Sequence, residues 1–266
     1  MRTRAQLLAP RVARHLCSES AMLRQELDEA KREIEQLKSS LASSAPAAGI
    51  DDREQSYFVG ASSSAYTSSL KFWDPHRDAA PPVLPVFRLM DDLGKIVPGG
   101  ESALPNLTRD EALAMMVTMM RTQEFDKVYL ESQRQGRIAF YLTSRGEEAA
   151  SVGSAAALHP TDWMLPQYRE MGAMFWRGFS FEDVANQLVA NREDSAHGRQ
   201  LGMHLGSKDK HVVTISSPLG TQCPQAAGVA FAMKLMSRPQ VAIAYFGEGC
   251  ASEGDIPSAL NIAAVH

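Results

Sequence analysis

Six consecutive apolar residues, Val241-Ala-Ile-Ala-Tyr-Phe246, constrain the fold of this chain more than any other stretch. A strand with one wet face alternates apolar and polar residues. An unbroken run of this length suits a strand buried on both faces, as in a parallel sheet covered by helices. The run halts at Gly247-Glu248-Gly249, and a new helix is expected to begin around Ser252 to Asp255, carrying Leu260, Ile262, Ala263 and Val265. Upstream, Val212-Val-Thr-Ile215 reads as another strand. The helix after it holds Pro224 in its first turn, where the missing N–H costs nothing, and carries Ala226, Ala227, Ala230 and Ala232. Strand, helix, strand, helix predicts an α/β domain on a parallel sheet.

The front of the same domain is expected near Pro82. Thr108 with Glu111 three residues on is a capping box, predicting a helix whose stripe Leu113, Met115, Met116, Met119 and Met120 packs in the core. Ile138-Ala-Phe-Tyr-Leu142 reads as a short strand, and Gly146 to Leu158 as a helix of small residues that packs closely. Residues 42–81, rich in Ser, Ala, Gly and Pro, offer little to bury and read as a linker. Residues 19–41 read as an amphipathic helix or short coiled coil, with Leu23, Leu27, Ala30, Ile34, Leu37 and Leu41 alternating at spacings of four and three. Residues 1–18 carry Arg2, Arg4, Arg11 and Arg14 and no acid, the pattern of a mitochondrial transit segment, with a plain basic terminus as the alternative.

At 266 residues and 44% hydrophobic content, the chain can bury one large core and still carry a tail. A net charge of -4 without a basic stripe predicts no nucleic-acid partner. Cys17, Cys223 and Cys250 are too scattered for a disulfide framework or a zinc site, which suits a reducing compartment. The richest apolar stretch, Ala112 to Met120, falls short of the roughly eighteen residues a membrane span needs.

Ligands of open parallel sheets collect beyond the carboxyl ends of the strands, where helix N-termini attract anions. Gly247-Glu248-Gly249 lies at such an end. Its glycines allow close backbone approach, and the carboxylate between them suits a divalent cation that bridges to phosphate oxygens. Glycines at a strand-to-helix turn also serve purely steric ends. A nicotinamide or flavin site competes on the same pattern, but its third fixed position, normally glycine or alanine, is Ser252. Gln133, Arg134, Glu147 and Glu148 are explained by surface ion pairs and helix starts. His197, His204 and His211 have no defined partner in the sequence and are read as solvent-facing or packed.

Five separated stretches together resemble one family. They are Glu131-Ser-Gln-Arg-Gln-Gly-Arg-Ile138, Gly146-Glu-Glu148 with Gly153-Ser-Ala-Ala-Ala-Leu158, Gln167-Tyr-Arg-Glu170, Ile215-Ser-Ser-Pro-Leu219, and Phe246-Gly-Glu-Gly249 with Ser252-Glu-Gly-Asp255. In order and spacing they are similar to the α subunit of branched-chain 2-oxo acid dehydrogenases, over roughly Pro82 to His266. The pyruvate dehydrogenase α subunit has Gly-Gly-Asn-Gly where this chain has Ser216-Ser-Pro-Leu219, so the resemblance favours branched-chain substrates.

The resemblance implies an α/β, parallel-sheet thiamine-diphosphate-binding fold, incomplete on its C-terminal side because the paired asparagines that close the family's cofactor motif would follow His266. It implies that Glu248 coordinates magnesium and that Gly249 and Cys250, the latter in place of alanine, offer backbone contacts to the diphosphate. Gln167, Tyr168 and Arg169 would line the cofactor and substrate pocket, with Arg169 pairing the diphosphate. Ser217 and Leu219 would contact the thiamine, the leucine as a wedge that keeps it bent. Ser216, Pro218, Thr221 and Gln222 would hold a monovalent cation, potassium; on the residues alone this segment is also an ordinary turn before the Pro224 helix. No catalytic residue is assigned. The implied activity is oxidative decarboxylation of branched-chain 2-oxo acids in the mitochondrial matrix, with transfer of the acyl group to a lipoyl carrier. The implied partners are a β subunit in an α2β2 heterotetramer and a dihydrolipoyl acyltransferase core. A non-catalytic short form acting as a subunit-binding module is the alternative.

Overall fold

A computed structural model describes residues 32, 36, 66–69, 86–91 and 94–266. The expected transit segment lies outside these residues. So do nearly all of the 19–41 helix, of which Arg32 and Gln36 are described and helical, and most of the 42–81 linker. The chain divides into two compact units, residues 1–106 and 107–266.

In the first unit, β1 (Tyr66–Thr67), within the stretch read as linker, pairs in parallel with β2 (Val86–Phe87). An antiparallel bridge between Met90 and Ile96 follows, before a 3-10 turn at Glu101–Ala103.

The second unit opens with α1 (Arg109–Arg134), started by the expected capping box. Thr108 Oγ1 accepts from Glu111 N at 3.2 Å, and Glu111 Oε2 accepts from Thr108 N at 2.8 Å, so two otherwise orphaned N–H groups are satisfied reciprocally. The methionine stripe is not core. Leu113 and Met116 are exposed, and Met115, Met119 and Met120 are half-buried. The buried part of α1 is Thr122, Phe125 and Asp126, further along, where the helix packs on α2 (Glu148–Ala156) and α3 (Met171–Trp176). Phe125 stacks on Tyr129 with ring centroids 4.2 Å apart and meets Phe175 edge-on at 5.2 Å.

The expected strand at Ile138–Leu142 does not form. The segment is irregular although Ile138 and Tyr141 are buried, because side chains rather than a neighbouring strand take its polar groups. Tyr141 Oη donates to Asp126 Oδ1 at 2.7 Å, Ser144 N to Asp126 Oδ2 at 2.7 Å, and Leu142 N to Met203 Sδ at 3.0 Å. The small-residue helix is α2, two residues shorter at each end than expected. Its close packing is real. A Cβ on Gly172 of α3 would stand 2.8 Å from both Ser151 Oγ and Val152 Cγ2.

Two strands form the sheet of this unit, β3 (Trp163–Leu165) and β4 (Ala242–Ala244), parallel and in the register Trp163↔Ala242, Met164↔Ile243, Leu165↔Ala244. On its other side Met164 bridges Val212, also in parallel, with Met164 N donating to His211 O and Val213 N to Met164 O, both at 2.9 Å. Val212–Ile215 is therefore a single bridge rather than a strand. Its chain instead folds back into a hairpin, with Ser207 and Val212 exchanging N–H···O bonds at 2.9 Å. Nor is the apolar run at β4 buried on both faces. Ala242–Ala244 are half-buried and Val241 and Phe246 are exposed, because among the described residues β4 has a strand neighbour on one side only.

The remaining helices are α4 (Phe181–Leu188), α5 (Gln222–Leu235), the single turn α6 (Glu248–Ala251) and α7 (Asp255–Val265). Pro224 is the third residue of α5, as its chemistry requires. The core gathers Met164, Met174, Val184, Met203 and Val212, and α5 packs across β3, β4 and α7. The architecture is a mixed α/β unit on parallel strands. Among the described residues no helix is long and apolar enough to cross a membrane.

Candidate cofactor site

Three parallel neighbours in the order Val212, β3, β4 end at one edge, and each continues directly into one of the segments singled out in the sequence. The carboxyl ends of such strands are where a parallel sheet gathers a ligand.

Beyond β3 lies Gln167-Tyr168-Arg169. Gln167 is 5% exposed and its Nε2 has no hydrogen-bond partner, so a buried donor stands ready for an acceptor. The backbone of this turn is pinned by Glu170, whose Oε2 accepts from Gln167 N at 2.9 Å and Arg169 N at 3.1 Å. Burial pushes the Glu170 carboxyl above its ordinary value against the pull of those N–H groups. Arg169 is half-buried; its Nη1 donates to Thr143 O at 2.8 Å. Tyr168 and Glu170 line a small cavity with Met171, Met174, Met203, Leu205 and Ile215.

Beyond Val212–Ile215 lies Ser216 to Gln222. Thr221 Oγ1 sits 2.8 Å from Ser216 Oγ and 3.2 Å from the Pro218 carbonyl, donating to one or other, so three of the four residues expected around a monovalent cation are drawn together. The fourth, Gln222, is buried. Its Nε2 donates to Tyr245 O at 2.9 Å, and its Oε1 has no partner. An orphaned buried carbonyl oxygen on Gln222, next in the chain to the Thr221 hydroxyl, is of the donor type such a cation takes. Leu219 is exposed, and Ser217 Oγ meets His204 Nε2 at 2.6 Å.

Beyond β4, Gly247 is the N-cap of α6 and Glu248 its exposed first residue. A Cβ on Gly247 or Gly249 would meet nothing within 4 Å, so this face is open to an approaching anion. Cys250 is 2% exposed and packs with Cys223, Ile256 and Ala259. Burial, with Cys250 and Asp255 alongside, raises the Cys223 thiol. The second and third segments touch directly, since Gln222 Nε2 reaches Tyr245 O and a Cβ on Gly220 would lie 3.3 Å from the Cβ atoms of Glu253 and Asp255. The first joins them through the sheet, Tyr245 N donating to Leu165 O at 3.0 Å.

Glu248 fits a hard divalent cation as a single exposed carboxylate at a helix start. Among the described residues no group of three or more His, Cys, Asp or Glu side chains is placed around one metal position. Sequence reasoning missed two residues. Glu170 closes one of the stretches that carry the resemblance but was given no role, and His204, expected to have no partner, is bonded at both ring nitrogens.

Residues 114–266 match the family described as dehydrogenase E1 component. The mitochondrial 2-oxoisovalerate dehydrogenase subunit alpha of Caenorhabditis elegans is 43% identical over 210 residues, covering 79% of this chain and 48% of that protein. Its Dictyostelium discoideum counterpart is 46% identical over 181 residues, 68% of this chain and 41% of that one. The human protein of the same name is 43% identical over 215 residues, 81% of this chain and 46% of that one. The chain spans about half the length of the curated relatives it matches.

Proposed function

Because this chain belongs to the dehydrogenase E1 component family, we propose that it acts as an α-type subunit in the decarboxylation of branched-chain 2-oxo acids, the acyl group passing to a lipoyl carrier. The observation that carries the reading is the convergence of Gln167–Arg169, Ser216–Gln222 and Gly247–Cys250 at one edge of parallel strands. Thiamine diphosphate, when bound, supplies the electron sink that loss of carbon dioxide from a 2-oxo acid requires.

The chain's own residues hold and orient that group. Glu248 would ligate the magnesium, and the backbone of Gly249, where a Cβ would meet nothing within 4 Å, together with that of Cys250 would contact the diphosphate. The Arg169 guanidinium suits two phosphate oxygens at once. Leu219, exposed at the mouth of the Ser216–Gln222 turn, is the apolar wedge, and Ser217 is its polar neighbour. Ser216, Pro218, Thr221 and the free Gln222 Oε1 would hold potassium and so stiffen the turn. The exposed apolar side chains of α5 and α7, Phe231, Leu235, Leu260 and Val265, support burial against further protein, such as a β subunit in an α2β2 assembly. The relatives' mitochondrial names support work in the matrix beside an acyltransferase core.

Calorimetric titration with thiamine diphosphate and magnesium, with and without a β subunit, tests the reading. Saturable, magnesium-dependent binding that Glu248→Ala abolishes is expected. Binding that Glu248→Ala leaves unchanged would sink the magnesium assignment, and no binding under either condition would favour a non-catalytic short form.

A further inference from the structure

We propose that His204 is a positioning residue for the candidate thiamine turn, holding the Ser217 hydroxyl in one orientation and through it the Ser216–Leu219 backbone; this rests on the cofactor reading above. His204 is buried whereas Ser217 is exposed, so the contact ties a surface hydroxyl to the interior. The ring's Nδ1 lies 2.9 Å from the Gly202 carbonyl oxygen, which can only accept, so Nδ1 carries the proton. In the neutral ring Nε2 is then an acceptor, and the Ser217 hydroxyl, 2.6 Å away, donates to it. With its one proton committed inward, Ser217 presents only lone pairs to whatever lies before it. It thereby selects a donor, and the exocyclic amino group of an aminopyrimidine is a group of that kind.

The backbone enforces this meeting. Leu205 O accepts from Ile215 N at 3.1 Å, fixing the register of the hairpin immediately inside His204 and Ser216. That pairing depends on Gly206, where a Cβ would stand 2.6 Å from Thr214 Cα. His204 also lines a cavity of about 450 Å3 whose other walls include Gln187 and Arg199.

The test is titration of the full chain, with its β partner, by thiamine diphosphate and magnesium. His204→Leu fills the ring's space without a hydrogen bond and should weaken binding about tenfold, the effect of one lost hydrogen bond. His204→Gln, which keeps a neutral acceptor, should restore most of the affinity. His204→Asn, polar but too short to reach Ser217, should repeat the loss and serves if the leucine variant does not fold. In a Ser217→Ala background neither loss variant should have a further effect, an outcome that general loosening of the fold would not give. Unchanged affinity in the loss variants, or losses that add to that of Ser217→Ala, would overturn the role of His204 while leaving the cofactor reading intact. Failure of the unaltered chain to bind would overturn the cofactor reading, and this proposal with it.

Discussion

Asp126 shows how one buried carboxylate organises the approach to the site. It is 4% exposed, takes the Tyr141 hydroxyl and the Ser144 N–H, and is pushed above its ordinary value by burial, against those two hydrogen bonds and the Arg169 charge. Asp126→Ala should therefore destabilise the unit by about 1–3 kcal/mol for each buried donor left unpaired, read as a shift in the urea midpoint. A carboxyl raised in the folded state binds its proton more tightly there than in the unfolded chain. Its contribution is complete below the ordinary carboxylate value and fades as pH rises through the raised one. Melting curves taken upward from roughly pH 4 should fall less steeply for Asp126→Ala than for the unaltered chain. If the two slopes coincide, the carboxyl is not the group that titrates. The place of Glu248 just past a strand end was legible in the sequence because a glycine, an acid and a glycine after an apolar run are a local pattern. Asp126 and His204 were not, since what each does depends on chain 15 and 13 residues away that only the fold brings near.

At the scale of elements, local chemistry was readable and burial was not. The Thr108 box and the place of Pro224 depend on neighbours within one turn, and both stand where expected. The methionine stripe has helical spacing, but spacing cannot say which stretch of a 26-residue helix the other elements cover; α2 and α3 cover the later part. Ile138–Leu142 has the composition of a strand yet lacks a partner strand, and composition carries no information about partners. The α2–α3 crossing offers a direct check. Gly172→Ala places a methyl group 2.8 Å from Ser151 Oγ and Val152 Cγ2, so the helices must part, at about 1–3 kcal/mol. An unchanged denaturation midpoint would show that the crossing is not tight. The capping box at Ser180, where Asp183 N donates to Ser180 Oγ at 3.0 Å, predicts a loss of about 1 kcal/mol for Ser180→Ala by the same measurement.

For the whole chain, the parallel α/β character was legible from the order of elements, whereas the shortness of the strands was not. An apolar run such as Val241–Phe246 announces burial without saying what does the burying. Here its ends, and Leu235, Leu260 and Val265 beyond them, stand more than half exposed or close to it. Surfaces of that kind associate. The purified chain should grow in mean mass with concentration in sedimentation experiments, and Leu235→Lys with Leu260→Glu should suppress this without altering the circular dichroism spectrum. A mass independent of concentration in the unaltered chain would contradict the expectation. The hairpin between Gly206 and Thr214 carries a different consequence, for how this sequence can vary in length. Its arms are locked by backbone contact at Gly206, but its tip at Lys208 and Asp209 is exposed. Extra residues spliced between Lys208 and Asp209 would lengthen only the tip, whereas deleting one residue from either arm would slide His204 out of step with Ser217, so homologous chains should differ in length at the tip alone.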